Sequence, residues 1–219
     1  MRKILEGQLN FYLWGRGRYA TDQSPLLKTN RWNEFESKAA IVLYGLKDLI
    51  GEDSLNLALR EFRDAFAYRN SPPFAGSKEL YGFIKKHVPD SLQYYLTDTW
   101  EKISFYDNSV TEIKSQQIGK SNQYKVSLKL NIAKVYEDNN GKEMPAKDMN
   151  DYIDVAIFGK NTSDGNGRTL VNQLFIKKYK LSYGEHTLDI IVKGKPVSAG
   201  VDPYLKLIDR APQDNIKNL

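Results

Sequence analysis

The feature that most constrains this chain is a change in the spacing of its apolar residues near Tyr106-Asp107-Asn108. Before that point apolar side chains recur at steps of three and four, the spacing of one face of an α-helix. After it they alternate, the spacing of a half-buried strand. One periodicity cannot serve both geometries, so the chain is expected to fold as a helical part followed by a strand part. The expected class is α+β: an N-terminal α-helical bundle over residues 1–106, then an immunoglobulin-like antiparallel β-sandwich over 107–219. A chain of 219 residues has the length for two such cores.

In the first part, Leu55, Ala58, Leu59, Phe62 and Phe66 make one helical stripe, and Leu80, Ile84 and Val88 make another. Ser77 is a candidate N-cap for the second, and Pro89 ends it. A third stripe runs Leu92, Tyr95, Leu96, Trp100 and Ile103, with Asp90 or Ser91 before it. Residues 38–50 are apolar on most sides and stop at Gly51, which suits a buried helix. Residues 2–14 read as a further helix, and Gly15 to Asn33, with Gly15, Gly17 and Pro25, as a long loop.

In the second part, Tyr124, Val126, Leu128, Leu130 and Ile132 alternate with polar residues. Asn139-Asn140-Gly141 is a turn signal. Ile153, Val155 and Ile157 alternate again, Asp164-Gly165-Asn166-Gly167 reads as a loop, and Leu174 to Ile176 and Leu188 to Val192 supply more strands around a turn at Tyr183-Gly184-Glu185. The count expected is about seven strands.

Composition removes several chemistries. Without cysteine there is no disulfide, thiolate metal ligand or cysteine nucleophile. The two histidines, His87 and His186, do not form a His-Glu-x-x-His motif, which sets two imidazoles one helical turn apart around a zinc ion. The net charge is +5, but the basic residues are scattered and accompany no recognition motif, so a nucleic-acid partner is not expected. The longest apolar run, Ala39 to Leu46, falls far short of the roughly 20 residues of a spanning helix. The start, Met1 to Gln8, has no apolar core of a signal peptide. A soluble chain without direct membrane insertion is expected.

Several segments together resemble one family. Lys38-Ala39-Ala40-Ile41-Val42-Leu43-Tyr44-Gly45-Leu46 through Ile50-Gly51-Glu52-Asp53, then Leu55 to Phe66 with Ala58-Leu59-Arg60-Glu61-Phe62, are similar to the helices that follow the zinc site in aminopeptidase-N-like gluzincin metallopeptidases, and Pro72-Pro73-Phe74-Ala75-Gly76-Ser77-Lys78-Glu79-Leu80 resembles the next loop and helix start. Gly15-Arg16-Gly17-Arg18, Pro25-Leu26-Leu27, Gly200-Val201-Asp202-Pro203-Tyr204, Leu207-Ile208-Asp209-Arg210 and Asp214-Asn215 resemble the subgroup found with bacterial transporter-permease segments. The resemblance runs nearly end to end but covers only the C-terminal region of such a peptidase. It implies that residues 1–106 are the tail of a thermolysin-like domain, and that the chain could be associated with a bacterial membrane protein. It also implies a family tyrosine two residues before Lys38, there to donate a hydrogen bond to a developing oxyanion. Glu36 occupies that position, Ala39 stands where the family has glycine, and the neighbouring Phe35 has no hydroxyl. With zinc motif and tyrosine both missing, this chain alone is expected to bind no zinc and to cleave no peptide; zinc belongs to complete relatives.

The resulting expectation is a scaffold or cleft wall beside a peptidase N-terminal region. An alternative is a stand-alone module that captures a peptide or another protein, itself included as a homodimer, on an exposed helical face with Trp14, Trp32 and Phe35. A second alternative is an unrelated hydrolase built on Glu34 and Glu36. Candidate binding residues are Arg16, Arg18, Trp32, Phe35 and Lys38, the two arginines as a clamp for phosphate or carboxylate. Tyr94, Tyr95, Trp100, Phe105 and Tyr106 are expected at the junction of helices and strands.

Overall fold

The computed structural model describes residues 2–18, 24–29, 31–164 and 166–219. It is an α+β chain of helices followed by antiparallel sheets. Two compact units are recognisable. The first is Met1–Ser104 with Tyr136–Glu143 and Lys206–Ile208, and the second is Phe105–Val135, Met144–Leu205 and Asp209–Leu219.

The helical unit begins with α1 (Arg2–Arg18). This helix runs four residues past its expected end, into what reads as a loop. Gly15 is buried on the same side as Leu5, Leu9 and Tyr12, so packing of that side offsets the cost of about 1 kcal/mol for glycine inside a helix. Arg16 and Arg18 fall in the last turn, where cations complement the helix dipole. Of the rest of the expected loop, residues 19–23 and Asn30 lie outside the described residues. A π-helical turn, Asn33–Lys38, runs directly into α2 (Ala39–Ile50), and the Ala39 N–H reaches back five residues to the Glu34 carbonyl. Gly51, with φ of +87°, ends α2 and opens α3 (Glu52–Phe66); only glycine takes that backbone without strain. Phe62 and Phe66 of α3, 5.3 Å apart, meet Phe83 of α4 (Ser77–Lys86) with ring centroids 6.0 and 6.4 Å away.

Two details of this unit differ from expectation. Gly76, not Ser77, is the N-cap of α4, and the Ser77 hydroxyl donates instead to the Leu27 carbonyl at 2.8 Å. The stripe from Leu92 to Ile103 is not one helix. It passes through a 3₁₀ turn (Asp90–Leu92), α5 (Gln93–Leu96) and a second π-helical turn (Thr97–Glu101), and Ile103 already belongs to a strand. Buried Tyr95 fixes this part to α2 by donating to the Val42 carbonyl at 2.9 Å.

Among the described residues there are twelve strands, more than the seven expected because several hold only two to four residues. A three-stranded sheet has the order β1-β4-β5, formed by Ile103–Tyr106, Lys134–Glu137 and Glu143–Pro145. In the strand unit, β2 (Ser109–Gln117), β3 (Gln123–Ile132) and β10 (Gly184–Lys193) pair in the order β10-β3-β2. Val126, Leu128, Leu130 and Ile132 point inward from β3 and are fully buried, as their alternation requires. A four-stranded sheet has the order β12-β11-β6-β9, formed by Ile216–Asn218, Pro196–Val201, Asn150–Gly159 and Gln173–Ser182. β6 is central, so Asp154 and Ala156 are buried along with Ile153, Val155 and Ile157; alternation marks only strands with one wet face. A two-stranded hairpin, β7 (Thr162–Ser163) with β8 (Thr169–Leu170), closes the Asp164–Gly167 loop, of which Gly165 lies outside the described residues. Gly184, with φ of +110°, is where the chain leaves the sheet of β9 for that of β10.

Candidate functional site

The candidate site is in the helical unit, where α1 and the π turn at Asn33–Lys38 pack together. It has a buried charged layer and an exposed aromatic one.

The buried layer comes from the inner side of both elements. Tyr12 of α1 is 1% exposed, Glu34 is 2% and Lys38 is 1%. The Thr29 hydroxyl donates to the Glu34 carboxylate. The Arg16 guanidinium donates to Glu137, whose side chain is wholly buried. The Lys38 ammonium lies 5.8 Å from the centre of the Tyr12 ring and donates to no acceptor among the described residues. Burial pulls its pKa down to about 8; nearby Glu34 acts against this and Arg16 with it. Burial likewise pushes the Tyr12 phenol up, helped by Glu34 and opposed by Arg16. A buried cation without an acceptor is costly, so this layer is a strained part of the unit.

The exposed layer comes from the outer side of the same elements. Ile4 is 61% exposed, Trp14 60%, Trp32 56% and Phe35 48%. Phe11 joins the two tryptophans: its ring centroid is 5.9 Å from that of Trp14, and it meets Trp32 edge-on at 4.7 Å. The Arg18 guanidinium covers the Trp14 ring at 5.4 Å. Glu36 is exposed, next to Phe35. An aromatic group of this kind, rimmed by charge, marks an interaction face.

The residues named from the sequence therefore divide. Trp32, Phe35 and Glu36 lie on the exposed face, and Arg18 lies over its margin. Arg16 is engaged with Glu137, so the two arginines do not present a common clamp. Lys38 lies in the buried layer. Tyr12, Glu137, Phe11 and Ile4 were not singled out. The signal for Ile4 and Phe11 was present, because Ile4, Gly7, Phe11, Trp14 and Arg18 follow the three-four spacing of a second stripe on α1. Glu137, on a strand far along the chain, gave no such signal.

Several other charged groups have local partners. His87 Nε2 is 2.8 Å from Glu61, and His186 Nε2 is 2.8 Å from the Ser182 carbonyl. Neither joins a cluster, and among the described residues no group of three or more histidine or carboxylate side chains is placed to hold a metal ion. Among the described residues, neither histidine has the second histidine and carboxylate beside it that the zinc of the resembled family takes. Asp151 accepts from the Tyr106 hydroxyl at 2.7 Å and from Lys134 at 2.6 Å, all three buried in the strand unit. Asp154 pairs with Lys178 at 3.1 Å. On the exposed sheet face Glu112 lies between Lys114 and Lys129, whose hydrogen bonds hold its carboxyl down to about 2.

No protein-family model matches the chain, and no curated protein matches it.

Proposed function

We propose that this chain is a non-catalytic module: the C-terminal portion of an aminopeptidase-N-like zinc peptidase, acting as scaffold or cleft wall for a polypeptide partner. In this reading the helices form a bundle and the two larger sheets form an immunoglobulin-like sandwich. The observation that carries it is the open aromatic face of α1 and the π turn, on which Trp14, Trp32 and Phe35 are exposed, with Glu36 exposed next to Phe35. Glu36 stands where the resembled family has its oxyanion-stabilising tyrosine, and an ionised carboxylate would repel an oxyanion. Zinc enters only with the partner half, and this chain needs no cofactor of its own. Any membrane association comes through the partner.

Two measurements on the purified chain test this reading. Zinc content and hydrolysis of a panel of aminoacyl-naphthylamides are both expected to be nil. Mixing with the separately expressed N-terminal half of a peptidase of that family should give a complex that Trp14→Ala weakens. Stoichiometric zinc with chelator-sensitive turnover would overturn the proposal.

A second reading, a stand-alone peptide-binding module, rests on the same exposed face and differs in needing no peptidase half. A hydrolase built on Glu34 and Glu36 has less support, because Glu34 is buried and held by Thr29 while Glu36 is exposed. Two carboxylates that work as acid and base must face one substrate.

A further inference from the structure

The outward side of α1 has more specific content than a bare apolar patch. Ile4, Gly7, Phe11, Trp14 and Arg18 succeed one another at steps of three and four, so they line one side of the helix from Ile4 to Arg18, about 21 Å at 1.5 Å per residue. That is the seam one helix offers another. Gly7 leaves a gap in the seam: a side chain built there would meet nothing within 4 Å. A partner's side chain can enter that gap beside the Phe11 ring.

The charges select the partner. Lys3 and Arg18 are the charged residues of α1 on or beside the seam, one near each end. The single carboxylate of α1, Glu6, is turned away by about 120° at 100° per residue. Self-pairing is disfavoured by the same arrangement. An antiparallel pair of α1 helices sets Lys3 opposite Arg18 of the second copy, and a parallel pair sets Arg18 beside Arg18. Like charges facing each other cost binding, and opposite charges give it specificity. We infer that α1 docks an amphipathic helix of another polypeptide, about four turns long, with aliphatic residues at three-four spacing and acidic residues at both ends. Glu36, exposed beside Phe35, puts a carboxylate on the π turn, so the acids belong at the ends of the α1 seam and not against that turn.

This inference rests on the docking reading above and narrows it to a kind of partner. The test uses the full chain and two synthetic peptides of about 15 residues. Both carry leucine at three-four spacing and capped termini; one has glutamate at each end and the other lysine. Binding is read from tryptophan fluorescence, in which exposed Trp14 and Trp32 respond and buried Trp100, 3% exposed, does not. The acidic peptide is expected to bind at least about tenfold more tightly than the basic one. Trp14→Ala should lose about tenfold or more, and Lys3→Glu with Arg18→Glu should invert the preference; circular dichroism checks that α1 persists in both variants. Equal binding of the peptides, binding of neither at millimolar concentration, or a self-associated dimer abolished by Trp14→Ala would overturn the inference. So would a blue shift with phosphatidylglycerol vesicles and none with either peptide, which would assign the face to an anionic lipid surface. If neither peptide binds but a peptidase N-terminal half still binds through Trp14, the inference fails and the docking reading survives. Zinc-dependent turnover sinks that reading whatever the peptides do.

Discussion

Replacing Lys38 by methionine should stabilise the protein, and by an amount that depends on pH. Methionine keeps the unbranched stem in its buried slot and removes only the ammonium, which has no acceptor among the described residues. The folded-state pKa of about 8 lies below the ordinary 10.5, a difference of about 2.5 units, or about 3 kcal/mol at about 1.36 kcal/mol per unit. Below pH 8 the amine is protonated in folded and unfolded chains alike, and the folded state bears the whole penalty. Between 8 and 10.5 the unfolded chain holds the proton and the folded chain does not, so stability rises with pH. Above 10.5 the penalty is gone. Urea unfolding at pH 7 should therefore show Lys38→Met more stable than the parent by about 3 kcal/mol, shrinking to about 1 kcal/mol at pH 9.5, with unchanged denaturant slope. Lys38→Arg, which cannot shed its proton, should be less stable than the parent at both values. A methionine variant less stable than the parent at pH 7, or a gap equal at the two pH values, would show that the amine is paired or solvated and would refute the reasoning.

Two other substitutions probe the interior. Lys134→Met leaves the Asp151 carboxylate buried with only the Tyr106 hydroxyl of its two donors above, and should cost about 3–5 kcal/mol in urea unfolding at pH 7. Adding Asp151→Leu should recover most of that loss. Gly45→Ala, in the middle of α2, drives its methyl into the Tyr95 hydroxyl and to 2.8 Å from the Lys206 carbonyl. It should lower stability by about 1–3 kcal/mol, against the gain an alanine normally gives a helix.

What the sequence made legible follows from where each signal is stored. The α+β division was readable because helix and strand periods differ, and Gly51 was readable because one residue both stops α2 and opens α3. The end of α1 was not, because Gly15 looks like a breaker until Leu9 and Tyr12 are seen buried beside it. The Leu92–Ile103 stripe misled because 3₁₀, α and π turns all keep roughly three to five residues per turn, and apolar spacing alone does not separate them. In the site, Trp32 and Phe35 were legible as large apolar residues in a polar context. The inward turn of Lys38 was not: lysine is almost never fully buried, and nothing in its local sequence shows that the five-residue reach of the π turn sends Glu34 and Lys38 inside while Trp32, Phe35 and Glu36 stay out.

That division within one short turn links stability to binding. A costly burial, that of the Lys38 ammonium, lies in the same two elements that carry the exposed aromatic face. Local free energies of opening are lowest where a segment is least well satisfied, so α1 and the π turn should open more readily than α2, whose Ile41, Val42 and Leu46 are buried. A partner that covers Trp14 and Trp32 would then close the segment as it binds, and part of its binding energy would go into that ordering. Hydrogen exchange tests this without knowledge of the partner's identity. Amides of Phe11–Arg16 and Phe35–Lys38 should exchange faster than those of Val42–Leu46 in the parent protein, and Lys38→Met should slow the first group while leaving the second unchanged. Equal protection of both groups in the parent would separate the buried charge from the mobility of the face, and the aromatic surface would then have to be treated as rigid.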